Sequence, residues 1–279
     1  MSRLEIITRR PEHPSRPVSL LFVHGSFTHA GIWDVNFLPY FAAAGYTDHA
    51  VSLRGHGQSE GRAQLPWSSL NDYVADLSEA VAQLGEPLVL IGHSMGGMVL
   101  QRYLRHNTTT AAVLMASVPP YGMWDSTIGM LFRDPLLMHQ LGLLMTFGPG
   151  LVNIATVRRA MISDRVPASE MLRYESLFQS ESQRVVIEML AFDPVSWQPE
   201  PSLPVLVLGA EDDAFLVPAQ IEATARAFGT TATIFPDMAH GMMIEPDWRL
   251  VADTIAGWLG DLVTRRNPSR AFTPSSRNR

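Results

Sequence analysis

The chain has no cysteine. Thiol nucleophiles, cysteine-ligated zinc, iron–sulfur clusters and disulfides are therefore excluded. It also has no lysine, and all 21 basic residues are arginine. Schiff-base and pyridoxal chemistry need a lysine amine, as does a P-loop, so these drop out too. Charged residues are sparse, at 17% of 279, and the net charge is −6. No basic face for nucleic acid is expected from that balance. Long apolar runs are missing as well. The most apolar region, Met130–Val152, is interrupted by Arg133, Asp134, Pro135, His139, Gln140 and Pro149. It falls short of the roughly 18 apolar residues of a membrane span. The opening MSRLEIITRRPEHPSRP lacks the apolar core of a secretory leader. The expectation is a soluble cytoplasmic protein, monomer or homodimer, with no nucleic-acid partner and no membrane span.

Apolar residues supply 46% of the chain, ample for a buried core. They fall into a repeating pattern. Val18–Val23, Tyr46–Leu53, Leu88–Ile91, Ala111–Ala116, Pro204–Leu208 and Thr231–Phe235 read as strands. Ile32–Ala44, Leu70–Leu84, Met95–His106, Pro218–Phe228 and Trp248–Leu262 carry apolar residues at helical spacing. Alternating strands and helices predict an α/β fold with a mostly parallel, doubly wound sheet. The rhythm stops at Ser117-Val118-Pro119-Pro120. From Tyr121 to Gln198 the chain is helical in character and holds seven of the 14 methionines, from Met123 to Met189. A helical cap inserted after a central strand accounts for this. The expected organisation is a core of residues 1–118 and 200–263, a cap of residues 119–199, and a disordered Arg-, Ser- and Pro-rich tail of residues 264–279. A cap at that place sits beside the usual ligand crevice of an open α/β sheet.

The most informative stretch is Gly92-His93-Ser94-Met95-Gly96, a G-x-S-x-G pattern with a strand before it and a helix after it. A serine at so sharp a turn is held in a strained backbone conformation, with its hydroxyl clear of the sheet. Glycines two residues to either side avoid collision with neighbouring backbone. The helix N-terminus behind the serine favours developing negative charge. These features mark Ser94 as a nucleophile. Such a serine needs a base, and the base needs an orienting acid. His240, in the loop Pro236-Asp237-Met238-Ala239-His240-Gly241 after a late strand, is the expected base. The acid should follow the preceding strand, where Glu211, Asp212 and Asp213 are adjacent. Asp213 is the expected acid and Asp212 its rival. The oxyanion hole should combine the Met95 N–H with one from the loop His24-Gly25-Ser26-Phe27, where the Phe27 N–H is the expected donor.

The segments LLFVHGSFTHAGIW, LRGHGQSEG, LIGHSMGG, VLVLGAEDDAFLVP and MAHGMMIEP succeed one another over about residues 18–260. In this order the chain resembles the α/β-hydrolase superfamily, in its esterase and lysophospholipase-like branch. The resemblance implies the triad Ser94, Asp213 and His240, the oxyanion donors Phe27 and Met95, a variable cap, and no cofactor or metal. It also implies loop-bonding roles for His24 and His56, while His93 should pack away from the crevice. The resulting expectation is hydrolysis of small-molecule esters with apolar acyl or alkyl groups through an acyl-enzyme. Perhydrolases, lactonases, C–C bond hydrolases and hydroxynitrile lyases can share that triad. A ligand receptor on a hydrolase scaffold is the alternative from another class.

Overall fold

The apolar runs become the middle of one sheet. In a computed structural model describing residues 3–13, 16–85, 87–147, 160–190 and 202–266, seven strands lie in the order β1-β3-β2-β4-β5-β6-β7. These are β1 (Glu5–Arg9), β2 (Ser19–Val23), β3 (Asp48–Ser52), β4 (Leu88–His93), β5 (Ala111–Met115), β6 (Val205–Ala210) and β7 (Ala232–Phe235). Every residue of β2 to β6 is buried. A strand covered on both faces needs apolar residues throughout, which is why these segments are continuous runs and not alternating ones.

Successive side chains of β2 serve opposite faces. Leu20 and Phe22 pack with Trp33, Phe37, Phe41 and Ile255 on one side. Leu21 and Val23 pack with Leu70, Tyr73, Leu77 and Val99 on the other. The first layer uses α1 (Gly31–Asp34), α2 (Phe37–Ala43) and the closing helix Trp248–Arg266, and the second uses α3 (Leu70–Leu84) and α4 (Met95–Tyr103). Helix α3 starts with a capping box between Ser69 and Asp72 and ends at Gly85, whose φ is +63°.

Three features depart from the periodicity. Strand β1 pairs antiparallel with β3, Glu5 opposite Ser52. It was hidden because EIITR is half-buried and lacks an apolar run. The helix expected over Ile32–Ala44 is broken at Asn36, whose amide donates to the Met243 carbonyl at 2.9 Å. The closing helix extends to Arg266, so the expected tail does not begin at Thr264. The remainder of that expected tail, residues 267–279, lies outside the described residues.

Between β5 and β6 the described residues form helices and no strand: α5 (Trp124–Arg133), α6 (Pro135–Phe147), α7 (Ala168–Tyr174) and α8 (Gln183–Leu190). None of the helices is long and apolar enough to cross a membrane, among the described residues. The chain leaves β2 toward β3 on one side and returns past it to β4 on the other. That reversal opens a crevice beyond the carboxyl ends of β2 and β4. The loop at His24 and the turn at Ser94 both lie there.

One buried group works against the fold. Asp48 opens β3 with its carboxylate fully buried, and neither oxygen has a hydrogen-bond partner among the described residues. The nearby Arg9 guanidinium grips Asp34 instead, through two bonds of 2.8 Å. Burial, reinforced by Asp34, raises the Asp48 pKa to about 8. The folded state then holds a proton that the unfolded chain releases near pH 4, so stability falls as pH rises from about 4 to about 8. Asp48→Asn should therefore leave stability unchanged near pH 4. It should add on the order of 3 kcal/mol at pH 8. Urea denaturation at both pH values checks this, and an equal effect at the two would contradict it.

Candidate active site

The turn after β4 is built backbone to backbone. A Cβ at Gly92 would lie 2.6 Å from the Gly96 carbonyl oxygen, and one at Gly96 would lie 2.5 Å from those of Val23 and His24. Only glycine lets β4, α4 and the end of β2 approach so closely. Ser94 sits at the tip with φ 52° and ψ −117°, a conformation side-chain-bearing residues rarely adopt. Its carbonyl accepts from Gly97, Met98 and Val118 N–H groups at 3.0–3.3 Å, which holds the strained turn. The Met95 N–H, first in α4, has no hydrogen-bond partner among the described residues.

The base and acid candidates meet. His240 Nδ1 and Asp213 Oδ2 are 2.7 Å apart, with both side chains buried. Asp213 Oδ1 accepts from the Phe215 and Leu216 N–H groups at 2.8 and 2.9 Å. Both carboxylate oxygens are thus committed, and the His240 ring has a fixed partner. Asp212 and Glu211 are exposed. The Phe215 ring lies tilted against His240, centroids 4.8 Å apart. His93, beside Ser94, donates from Nε2 to the His240 carbonyl at 2.9 Å and so brings the two loops together. Burial and the neighbouring His240 push the His93 pKa well below its ordinary value, so it is a neutral strut.

The loop after β2 turns against Ser94. A Cβ at Gly25 would lie 3.1 Å from Ser94 Cβ. His24 donates from Nδ1 to the Gly25 carbonyl at 2.8 Å and accepts at Nε2 from the Leu53 N–H at 3.1 Å. Burial and His56 lower its pKa to about 3, in keeping with a neutral structural ring. Phe27 differs from expectation. Its N–H donates to Glu181 Oε2 at 3.3 Å. An amide bonded to a buried carboxylate is not open to a substrate oxygen. The Ser26 N–H, one residue earlier, has no hydrogen-bond partner among the described residues.

The helical insertion is tied into both loops. The Gly241 N–H donates to the Met161 carbonyl at 2.6 Å, and Ser163 donates through N–H and Oγ to Glu245 at 2.6 Å each. Met130, Leu137 and Ala160 of the insertion pack with Met138, Met161, Phe27, Ala214 and Phe215. An apolar cluster therefore joins the insertion to the loops that follow β2 and β6. Glu181 and its partner Tyr73 escape sequence reasoning. Glu181 stands in Ser180-Glu181-Ser182 before α8, where a carboxylate reads as an ordinary helix-start charge. Among the described residues no group of three or more His, Cys, Asp or Glu is arranged to hold a metal.

Residues 20–254 match the family model described as the alpha/beta hydrolase family. A monoacylglycerol lipase of Mycolicibacterium smegmatis is 24% identical over 264 residues, covering 89% of this chain and 90% of that protein. A non-heme chloroperoxidase of Kitasatospora aureofaciens is 34% identical over 111 residues, 38% of each chain. Among solved structures, an esterase from Exiguobacterium antarcticum superposes with a TM-score of 0.74 at 16% identity, covering 93% of this chain and 96% of its own.

Proposed function

This chain belongs to the alpha/beta hydrolase family, and from that premise we propose that it is a serine hydrolase cleaving carboxylic esters of apolar acyl or alkyl groups. The buried 2.7 Å contact between His240 and Asp213, in a loop bonded to the residue beside a strained serine, carries the reading. The lipase and esterase names of similar proteins support the same reaction class.

In this mechanism Ser94 Oγ attacks the ester carbonyl while His240 takes the hydroxyl proton. Asp213 keeps the His240 proton on Nδ1 and offsets the imidazolium charge. The Met95 and Ser26 N–H groups receive the oxyanion, with Ser26 replacing Phe27 because Glu181 already holds the Phe27 amide. His240 passes its proton to the departing alcohol and then activates water, which releases the acid and restores Ser94. Residues 119–199 act as the cap. Met130, Met138 and Met161, clustered with Phe27 and Phe215, form an adaptable apolar wall.

A series of 4-nitrophenyl esters with lengthening acyl chains tests this. kcat/KM should rise by about 10-fold from acetate to a medium-chain ester, near the value of about two buried methylenes. A flat series at negligible turnover would refute the proposal. The stretch shared with the chloroperoxidase favours one second reading, in which hydrogen peroxide replaces water and the acyl-enzyme yields a peracid. Adding peroxide to the same assay separates the two by product.

A further inference from the structure

We propose that Glu181 is a positioning residue that sets the oxyanion loop from inside the helical insertion. The inference rests on the serine-hydrolase reading above.

Phe27 has φ +62°, a left-handed conformation that costs a phenylalanine energy and persists only where its surroundings over-determine it. One short segment of the insertion supplies that constraint. The Gln179 N–H donates to the Phe27 carbonyl at 2.7 Å, and Glu181 Oε2 accepts from the Phe27 N–H at 3.3 Å. Both peptide groups of Phe27 are therefore held by residues 179–181. With Phe27 clamped, the preceding amide is held with its N–H unpartnered.

Glu181 is itself rigidly held. Its side chain is fully buried. Oε1 accepts from Tyr73 Oη at 2.6 Å and from the Ser182 N–H at 2.7 Å, while His56 Nε2 stands 3.4 Å from Oε2. Burial alone would favour the neutral acid. The His56 ring, the Tyr73 hydroxyl and the Ser182 amide overcome it and hold the carboxyl below its ordinary range. A buried carboxylate with this many donors is costly to assemble and is not needed to close a helix start. Gln179 extends the same grip, since its Oε1 accepts from the Gly57 N–H at 2.9 Å.

The two oxygens have different duties, and that makes the inference testable. In Glu181→Gln the carbonyl oxygen can keep the Tyr73 and Ser182 donors. The amide nitrogen then faces the Phe27 N–H, donor against donor. The fold keeps its anchor and the Gln179 bond to the Phe27 carbonyl, while the grip on the Phe27 N–H is lost. For a soluble ester the expected result is a Tm within about 3 °C of wild type, kcat lowered about 10- to 100-fold, and KM changed less than about 3-fold, in the range of weakening one oxyanion donor. Inhibition by a trifluoromethyl ketone, whose adduct carries the oxyanion, should weaken in parallel with kcat. A kcat within 2-fold of wild type would overturn the proposal, as would an unchanged ketone affinity. A Ser94→Ala control separates the failures: hydrolysis within about 10-fold of wild type there refutes the serine mechanism itself. Should Glu181→Gln not fold, amide hydrogen exchange on the wild-type protein decides. The Phe27 amide should exchange at least about 100-fold more slowly than that of Ser26, and equal rates would overturn the inference.

Discussion

Ser94→Ala should lower kcat for ester hydrolysis by about a million-fold, as loss of the nucleophile does in other triads. The protein should remain folded. The substitution keeps the Cβ at φ 52°, and the bonds that hold the turn come from the Ser94 backbone, which alanine retains. Among the described residues the hydroxyl makes no hydrogen bond whose loss would confuse the result. Without it, the Met95 and Ser26 amides and the apolar wall can still bind ester, so KM should change little while turnover disappears. A fluorophosphonate should add its mass to the wild type and leave the variant unmodified. Hydrolysis within 10-fold of wild type would place the nucleophile elsewhere.

Asp213→Asn should cost about 10,000-fold in kcat. The reason lies in the two amides that bind Asp213 Oδ1. They demand an acceptor, so the asparagine oxygen stays with Phe215 and Leu216 and its NH2 turns toward His240. The imidazole must then accept at Nδ1 and carry its proton on Nε2, the wrong tautomer for receiving a proton from Ser94. Substitution of the exposed neighbour, Asp212→Asn, should leave kcat within about 2-fold, because the bond to the buried His240 comes from Asp213 and Asp212 is exposed. Comparing kcat for the two variants, with Tm as a control on folding, checks the assignment. Equal losses would contradict it.

The parts of the site legible in the sequence are those whose physics is local. The turn at Ser94 needs small neighbours because its backbone strands touch, and Gly92 and Gly96 record that need within five letters. The buried strands are legible because burial on both faces demands continuous apolar runs. Adjacent letters do not separate Asp213 from Asp212, because their difference is which carboxylate the Phe215 and Leu216 amides capture. Phe27 and Ser26 are not separated that way either. That choice is made by Glu181, 154 residues along the chain, and no local pattern announces such a contact. Strand β1 was silent for a related reason: as a half-exposed edge it needs no apolar run, only a partner in β3.

The bonds between the insertion and the core bear on how such a protein can be recombined. Residues 160–166 and 179–182 hold the histidine and oxyanion loops, so they travel with the catalytic machinery. Helices α5 and α6 meet those loops through side-chain packing, Met130 and Leu137 clustering with Phe27 and Phe215, while Trp124, Leu131, Phe132 and Leu136 are exposed. The unit that can be exchanged between homologues to alter substrate range is therefore the leading part of the insertion, residues 124–147. A graft that took the whole segment from 119 to 199 would carry away the supports of the two loops on which turnover depends. The division between supporting and exchangeable residues then runs through the middle of the insertion and not along its edges.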